Sequence, residues 1–258
     1  MLKFIRPLFS LSLKTLAGMA FVLFSLVSLL HAQSPVVALN FDDPSHPLAQ
    51  TGTSDLSFAN NGATFPNGVA TFDGSSYLEA DNAPFSSAFT INLWMKADSA
   101  NGYTGDNWYQ GAGLVDGEVF GVTDDWGVTL IGDKIAFGIG NGDTTIFSTS
   151  SVTTGQWVLV SATWDTSGAM KLYINGTLES SSPFSSSDNR LSDTPFYIGI
   201  DANGPTYTGA LDNITIYDQV LSGPQISSIY LAAPEPSTPV FLLGMGGMAL
   251  LLRRRGQA

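Results

Sequence analysis

Apolar residues recur at every second position in one segment after another of this 258-residue chain, and that period limits what it can fold into. Across residues 88–96, Phe89, Ile91, Leu93 and Met95 alternate with Thr90, Asn92 and Lys96. Successive side chains of a strand point to opposite faces, so this spacing gives a strand with one apolar face; a helix would scatter the same residues around its axis. Residues 157–164 read as a strand buried on much of both faces. Residues 170–174 and 177–179 flank Asn175-Gly176, a dipeptide that supplies the positive φ angles of a tight hairpin. Further strands are expected at 36–41, 69–72, 77–79, 127–131, 135–139, 196–200 and 210–217, nearly all separated by turn residues. One short helix is expected from Ser222-Gly223-Pro224 through Ile226 and Tyr230, with Ser as cap and Pro in the first turn. Many strands, many turns and a single short C-terminal helix predict an all-β, antiparallel β-sandwich or jelly roll.

Both ends of the chain differ from this middle. Lys3, Arg6 and Lys14 precede an uncharged apolar run from Leu16 to Leu30, and Ala32 offers a small residue before Gln33. That order is the one of a secretory signal peptide, which implies processing by signal peptidase; an uncleaved N-terminal anchor would place the domain in the same compartment. At the other end Pro234-Glu235-Pro236 leads into an apolar run, Val240 to Leu252, closed by Arg253-Arg254-Arg255. The run is shorter than the roughly 20 residues of a full membrane span, and the arginines would hold its end on the cytoplasmic side. Pro-Glu-Pro, apolar run and arginine cluster in this order resemble the PEP-CTERM sorting signal. The resemblance implies transient membrane anchoring and cleavage near Pro234-Glu235-Pro236 by an exosortase-type enzyme; an ordinary C-terminal anchor is the plainer alternative. The expected organisation is a signal peptide at 1–32, one domain at 33–232 and a sorting segment at 233–258, exported to the cell surface or extracellular matrix.

Charge follows the same division. Six of the ten basic residues lie in the terminal segments, so the stretch from Gln33 to Glu235 keeps four against 22 acidic residues, a net charge of −18. Such a field repels nucleic acid and suits solubility, cations or neutral sugars. The chain has no cysteine, so an exported domain of this kind rests on its core rather than on disulfides.

Residue inventory removes most chemistry. His46 is the one histidine beyond residue 32, which leaves a Ser-His-Asp triad only that residue as base and leaves no His/Cys zinc set. No Gly-x-Gly-x-x-Gly precedes a helix, so nucleotide binding has no support. Glycosidases need two carboxylates across the scissile bond, and the domain holds Glu79, Glu118 and Glu179 in no paired pattern. Binding fits better. Residues 101–110, with Tyr103, Trp108 and Tyr109, are glycine-rich, polar and aromatic, and Asp124-Asp125-Trp126 forms a second such tip. An aromatic face beside Asp and Asn suits the apolar C–H face and polar rim of a sugar ring; the alternative is that these rings pack inward under their loops.

A second resemblance spans residues 36–231. Residues 68–79 (GVATFDGSSYLE), the strand at 89–95, the hairpin Trp157 to Gly176, Tyr197-Ile198-Gly199 and residues 209–217 (GALDNITIY) stand in the order of a LamG-like, concanavalin A-like jelly roll. The resemblance implies two curved antiparallel sheets of about 12 to 14 strands in all, packed face to face. It also implies a structural calcium at the sandwich edge, with Asp43, Asp55, Asn60 and Asp212 as the matching oxygen ligands. Acidic loop tips that merely cap turns are the alternative, and Asn213 stands where the family pattern has a second acid. The Glu-x-Asp-x-x-Glu strand of the related glycosidases is lacking: after Glu79-Ala80-Asp81 come Asn82, Ala83, Pro84 and Phe85. The expected function is therefore a non-catalytic surface module that binds extracellular polysaccharide or a surface glycan. A hydrolase or lyase with an atypical site and a structural coat or adhesion subunit are the other readings.

Overall fold

The fold is described from a computed structural model, for residues 33–232 apart from 85–86, 122–124, 141–142, 184, 186–194 and 203, together with Pro236. The expected N-terminal signal peptide and most of the sorting segment, Pro234, Glu235 and Arg253–Arg255 included, lie outside the described residues.

Two antiparallel seven-stranded sheets pack face to face. The first joins β1 (Val37–Leu39), β14 (Thr208–Tyr217), β5 (Phe89–Lys96), β10 (Val158–Trp164), β11 (Met170–Ile174) and β12 (Thr177–Ser182) in that order, with β3 (Ala70–Asp73) also paired to β14. The second runs β2 (Phe58–Asn61), β4 (Tyr77–Ala80), β13 (Phe196–Ile198), β6 (Ala112–Asp116), β7 (Trp126–Ile131), β8 (Lys134–Ile139), β9 (Thr144–Phe147). Helix α1 (Gly223–Ala232) closes the domain. The Asn175-Gly176 hairpin forms as expected, with φ of 50° and 75°, and Asn175 Oδ1 also accepts the Leu159 amide at 2.9 Å.

The alternation on β5 becomes packing. Phe89, Ile91, Leu93 and Met95 enter the core between the sheets with Val160, Ala162, Leu172, Leu211 and Ile216. The opposite face of β5 is buried as well, apart from half-buried Lys96. Segment 218–222 crosses it: the Thr90 hydroxyl donates to the Gln219 carbonyl at 2.8 Å and accepts the Leu221 amide at 2.8 Å. Helix α1 covers the rest, with Tyr230 against Trp94 at 5.9 Å between ring centroids and Ile226 seated among Tyr173, Tyr217 and Leu221. A buried hydroxyl needs a partner, and the covering backbone supplies it for Thr90.

Three strands lie beyond the sequence expectation: β2, β6 and β9. β2 (Phe-Ala-Asn-Asn) and β9 (Thr-Thr-Ile-Phe) are edge strands without alternation; half the backbone there faces away from a neighbour and apolar alternation is not required. β6 reads Ala-Gly-Leu-Val-Asp and carries an irregularity between Gly113 and Val115 that breaks the period of two.

Candidate functional site

A cleft of about 1020 Å³ opens where the ends of β3 and β5 meet the loop that follows β5 and the entry to β14. Lys96, Asp98, Asn101, Tyr103, Thr206 and Thr208 give it a polar lining. The loop is held by its own side chains. Asn101 donates through Nδ2 to the Leu130 carbonyl at 2.7 Å, and its Oδ1 accepts the Gly132 amide at 2.8 Å and the Tyr103 amide at 3.2 Å. The Tyr103 hydroxyl accepts the Thr206 amide at 3.1 Å, and the Thr206 hydroxyl donates to the Gly74 carbonyl at 2.7 Å. Behind this wall Tyr207 is fully buried and donates to the Lys96 carbonyl at 2.8 Å; burial pushes its hydroxyl far above the usual tyrosine range. Gly209 (φ 151°) is required here, since a Cβ would stand 2.4 Å from the Tyr207 hydroxyl and 2.5 Å from the Lys96 carbonyl oxygen. The result is a preformed recess with hydroxyl, amide, carboxylate and ammonium groups around one half-buried phenol.

Of the aromatic residues singled out from sequence, the structure brings only Tyr103 into the cleft. Trp108 is fully buried. It lies flat on the outer face of the second sheet over Gly127 and Gly138, which face each other in register on β7 and β8; a Cβ on Gly138 would fall 1.6 Å from Trp108 Cδ1. The two glycines vacate the space that the indole fills. Tyr109 packs edge-on against Trp108 at 5.9 Å and its hydroxyl accepts Asn107 Nδ2 at 3.0 Å, which leaves it half-buried. Trp126 is a core residue, 5.7 Å from Phe89 and 6.0 Å from Phe196 between ring centroids. Neither tryptophan is a sugar platform: the apolar area of an indole is worth more inside than on a loop tip. Lys96, Asp98, Thr206 and Thr208 were missed. The Thr206-Tyr207-Thr208-Gly209 run that leads into the closing strand was the available signal.

Three of the four expected calcium ligands are engaged by neighbouring backbone or side-chain groups. Asp43 accepts the Ser45 amide at 2.8 Å and the His46 amide at 3.2 Å, as a turn cap does, and these bonds, the Ser45 one foremost, hold its carboxyl below the usual range. His46 pairs with the same carboxylate at 3.5 Å in an exposed loop, the bland role for that histidine. Asn60 belongs to edge strand β2, not to a loop, and bonds the backbone of Ala63 through both ends of its amide. Asp55 is exposed. Asp212 is buried on β14, where its carboxylate accepts the amide of Asn213 at 2.7 Å and the Asn213 side-chain nitrogen at 3.2 Å. Burial first, then the charge of Asp42, pushes the Asp212 carboxyl up to about 7. Among the described residues no three His, Cys, Asp or Glu side chains are placed to hold a metal ion together.

Glu179, one of the three glutamates of the domain, is a brace. It accepts the Thr149 amide at 2.8 Å, the Ser150 amide at 2.9 Å and both hydroxyls, which ties β12 of the first sheet to the segment after β9 of the second. Its carboxyl stays below the usual range even though partial burial opposes ionisation.

Two packed antiparallel seven-stranded sheets define a jelly-roll β-sandwich with a polar recess at one edge. The model of the Concanavalin A-like lectin/glucanases superfamily matches residues 72–227, and the chain belongs to that family. Residues 232–255 match the PEP-CTERM protein-sorting motif, which marks the chain for export and C-terminal sorting and implies exosortase processing. No helix among the described residues is long and apolar enough to cross a membrane. Among solved structures, the botulinum neurotoxin serotype G binding domain superposes with a TM-score of 0.62 at 18% identity, over 77% of this chain and 51% of that one. Domain 4 of AbnA, a GH43 extracellular arabinanase from Geobacillus stearothermophilus in complex with arabinotriose, gives 0.60 at 18%, over 76% of this chain and 98% of that one. The binding domain of Paraclostridial Mosquitocidal Protein 1 gives 0.59 at 15%, over 77% and 52%. The chain thus spans about half the length of the toxin binding domains, and at these identities the likeness is one of fold. No curated protein matches.

Proposed function

We propose that the exported domain is a non-catalytic surface module that binds neutral glycan in the cleft bounded by Lys96, Asp98, Tyr103 and Thr208. The observation that carries this reading is the preformed lining: Asn101 and Tyr103 are fixed by four hydrogen bonds to neighbouring backbone, so the recess loses little conformational freedom when a ligand enters. Hydroxyls and amides around a half-buried ring offer a sugar both donors and acceptors and one apolar contact. The structure of a neighbour of the same fold is in complex with arabinotriose, which supports an oligosaccharide as the ligand class. A glycan array with the full-length protein tests it. Retention of a neutral oligosaccharide is expected, weakened at least about tenfold by Asp98→Asn or Tyr103→Ala, the scale of one lost charged hydrogen bond or ring contact. Retention unaffected by both substitutions, or none at all, overturns the assignment. Release of new reducing ends from a polysaccharide would instead favour the hydrolase reading.

A further inference from the structure

Helix α1 leads straight into the sorting motif, whose match begins at residue 232, the last residue of the helix. Pro234 follows two positions later, and the apolar run starts at Val240. An extended chain spans at most about 3.6 Å per residue, so residues 233–239 reach no further than about 25 Å. Within that reach the motif stands between a folded domain and an anchored run. Pro236 is the one residue of Pro-Glu-Pro among the described residues, and it is buried. A processing enzyme needs accessible backbone, so chain that is wound into a helix or packed away must first be freed.

The seat of α1 is separate from the core between the sheets. Ile226 packs in its own cluster with Tyr173, Tyr217 and Leu221, and no residue of α1 belongs to the main core. Tyr230 rests on Trp94 at 5.9 Å between ring centroids, and the Ser227 hydroxyl donates to the Gly176 carbonyl at 2.8 Å. Leu231, in the last turn, is 82% exposed. Val160, Ala162, Ile91 and Leu93 point into the core, so Ser161 and Asn92 point to the outer face that α1 and segment 218–222 cover. They stand side by side in register, with Tyr173 next to Ser161. Both are buried, yet Ser161 Oγ and Asn92 Oδ1 have no hydrogen-bond partner among the described residues. Such atoms cost free energy while dry and recover it when water enters. Undocking of α1 admits that water.

We propose that α1 is a latch on C-terminal sorting: the helix must leave the sheet and unwind its last turn before the processing enzyme can take Pro234-Glu235-Pro236. The main core stays closed while this happens, because the latch contributes nothing to it. A segment that is cut only when open is cut in proportion to its open population, so the domain sets the rate of its own release. The cut breaks one backbone amide near the motif. Its carbonyl end passes to water or to an acceptor nucleophile, and its amine stays with the membrane segment.

The latch does not depend on what the cleft binds. Pulse-chase of the full-length chain, in cells that carry an exosortase-type enzyme, measures the rate of tail removal. Tyr230→Ala, which takes the ring off Trp94, is expected to speed removal at least about fivefold. Ser161→Ala, which deletes the orphaned hydroxyl and keeps the seat, is expected to slow it at least about threefold. Gly138→Ala, which loosens the opposite sheet, should leave the rate within about twofold. Native-state hydrogen exchange of the detergent-solubilised full-length chain reads undocking without the enzyme. The Ile226 amide, bonded to the Ser222 carbonyl at 3.0 Å, should exchange faster than the amides of β5 and β10, and faster still in Tyr230→Ala. Removal rates that are the same in Tyr230→Ala, Ser161→Ala and the parent, no removal at all, or an Ile226 amide protected as strongly as β5 overturns the proposal. Acceleration by Gly138→Ala as large as that by Tyr230→Ala would mean that global unfolding exposes the motif, and overturns it equally.

Discussion

Adding one methyl group at Gly138 pits two opposite effects against each other, and the structure says which one wins. In an unhindered strand position, Gly→Ala stabilises by about 0.4–1 kcal/mol because the unfolded chain loses freedom. Here the new Cβ would stand 1.6 Å from Trp108 Cδ1 and 1.9 Å from Cγ, so the indole must leave the sheet. Trp108 is fully buried, and removing such a side chain costs about 3–5 kcal/mol. Tyr109, edge-on against it, and the Thr129 hydroxyl, which donates to its carbonyl at 2.8 Å, lose their partners too. Gly138→Ala is therefore expected to destabilise the domain by about 2–4 kcal/mol, since the loop can re-seat in part. At the scale of a 200-residue domain that lowers the melting temperature by about 5–12 °C. Urea unfolding followed by tryptophan fluorescence measures it, with the Trp108 emission expected to shift toward that of a solvated indole. A double-mutant cycle isolates the cause: in a Trp108→Ala background the methyl should cost less than about 1 kcal/mol. A Gly138→Ala protein as stable as the parent, with unshifted emission, would refute the account of how Trp108 is seated.

The other expectations are smaller. Asp212 carries a carboxyl raised to about 7 in the fold against 3.8 in the open chain, so the folded state holds its proton longer and stability falls as pH climbs from about 4 to about 7. Asp212→Asn should remove that fall and gain about 1–2 kcal/mol at pH 8, a figure reduced for solvent screening at the sandwich edge, with no gain at pH 4; equal effects at both pH values in thermal melts would contradict it. Glu179 has the opposite sign: its lowered carboxyl contributes stability present above its ordinary 4.5 and lost as pH falls below it. Glu179→Gln should cost about 1 kcal/mol at pH 7 in urea titration, and an undiminished cost at pH 3 would contradict the brace. Gly176→Ala places a Cβ 3.1 Å from Ser227 Cα at a φ of 75°, so it should cost about 1–2 kcal/mol; calorimetry showing none would mean that α1 does not rest on the hairpin.

The strands that sequence made legible are those whose burial is set by their own period: β5, β10, β11 and the closing strand β14. The Asn-Gly turn was legible because few dipeptides tolerate two positive φ angles. Edge strands β2 and β9 were hidden because Phe-Ala-Asn-Asn and Thr-Thr-Ile-Phe show no alternation of apolar and polar residues, and β2 includes Asn60, which the family resemblance offered as an oxygen ligand. The site was legible only in part. Tyr103 and Asn101 lie in the loop singled out for its glycines and aromatics, but their partners Lys96, Thr206 and Thr208 come from strands that meet only in the folded chain.

By itself the sequence determined the class of fold and the destination of the chain. A period of two, frequent turns and a C-terminal sorting motif are local properties, readable without knowing what packs on what. Tertiary structure alone decided which aromatic rings face solvent. Trp108 follows polar Asn107 in a loop and Tyr197 stands between Phe196 and Ile198, yet the first is fully buried and the second only half-buried. The difference is that Gly127 and Gly138, brought into register by strand pairing, leave a gap the width of an indole, and burying apolar surface wherever space allows outweighs the polar company it keeps in sequence.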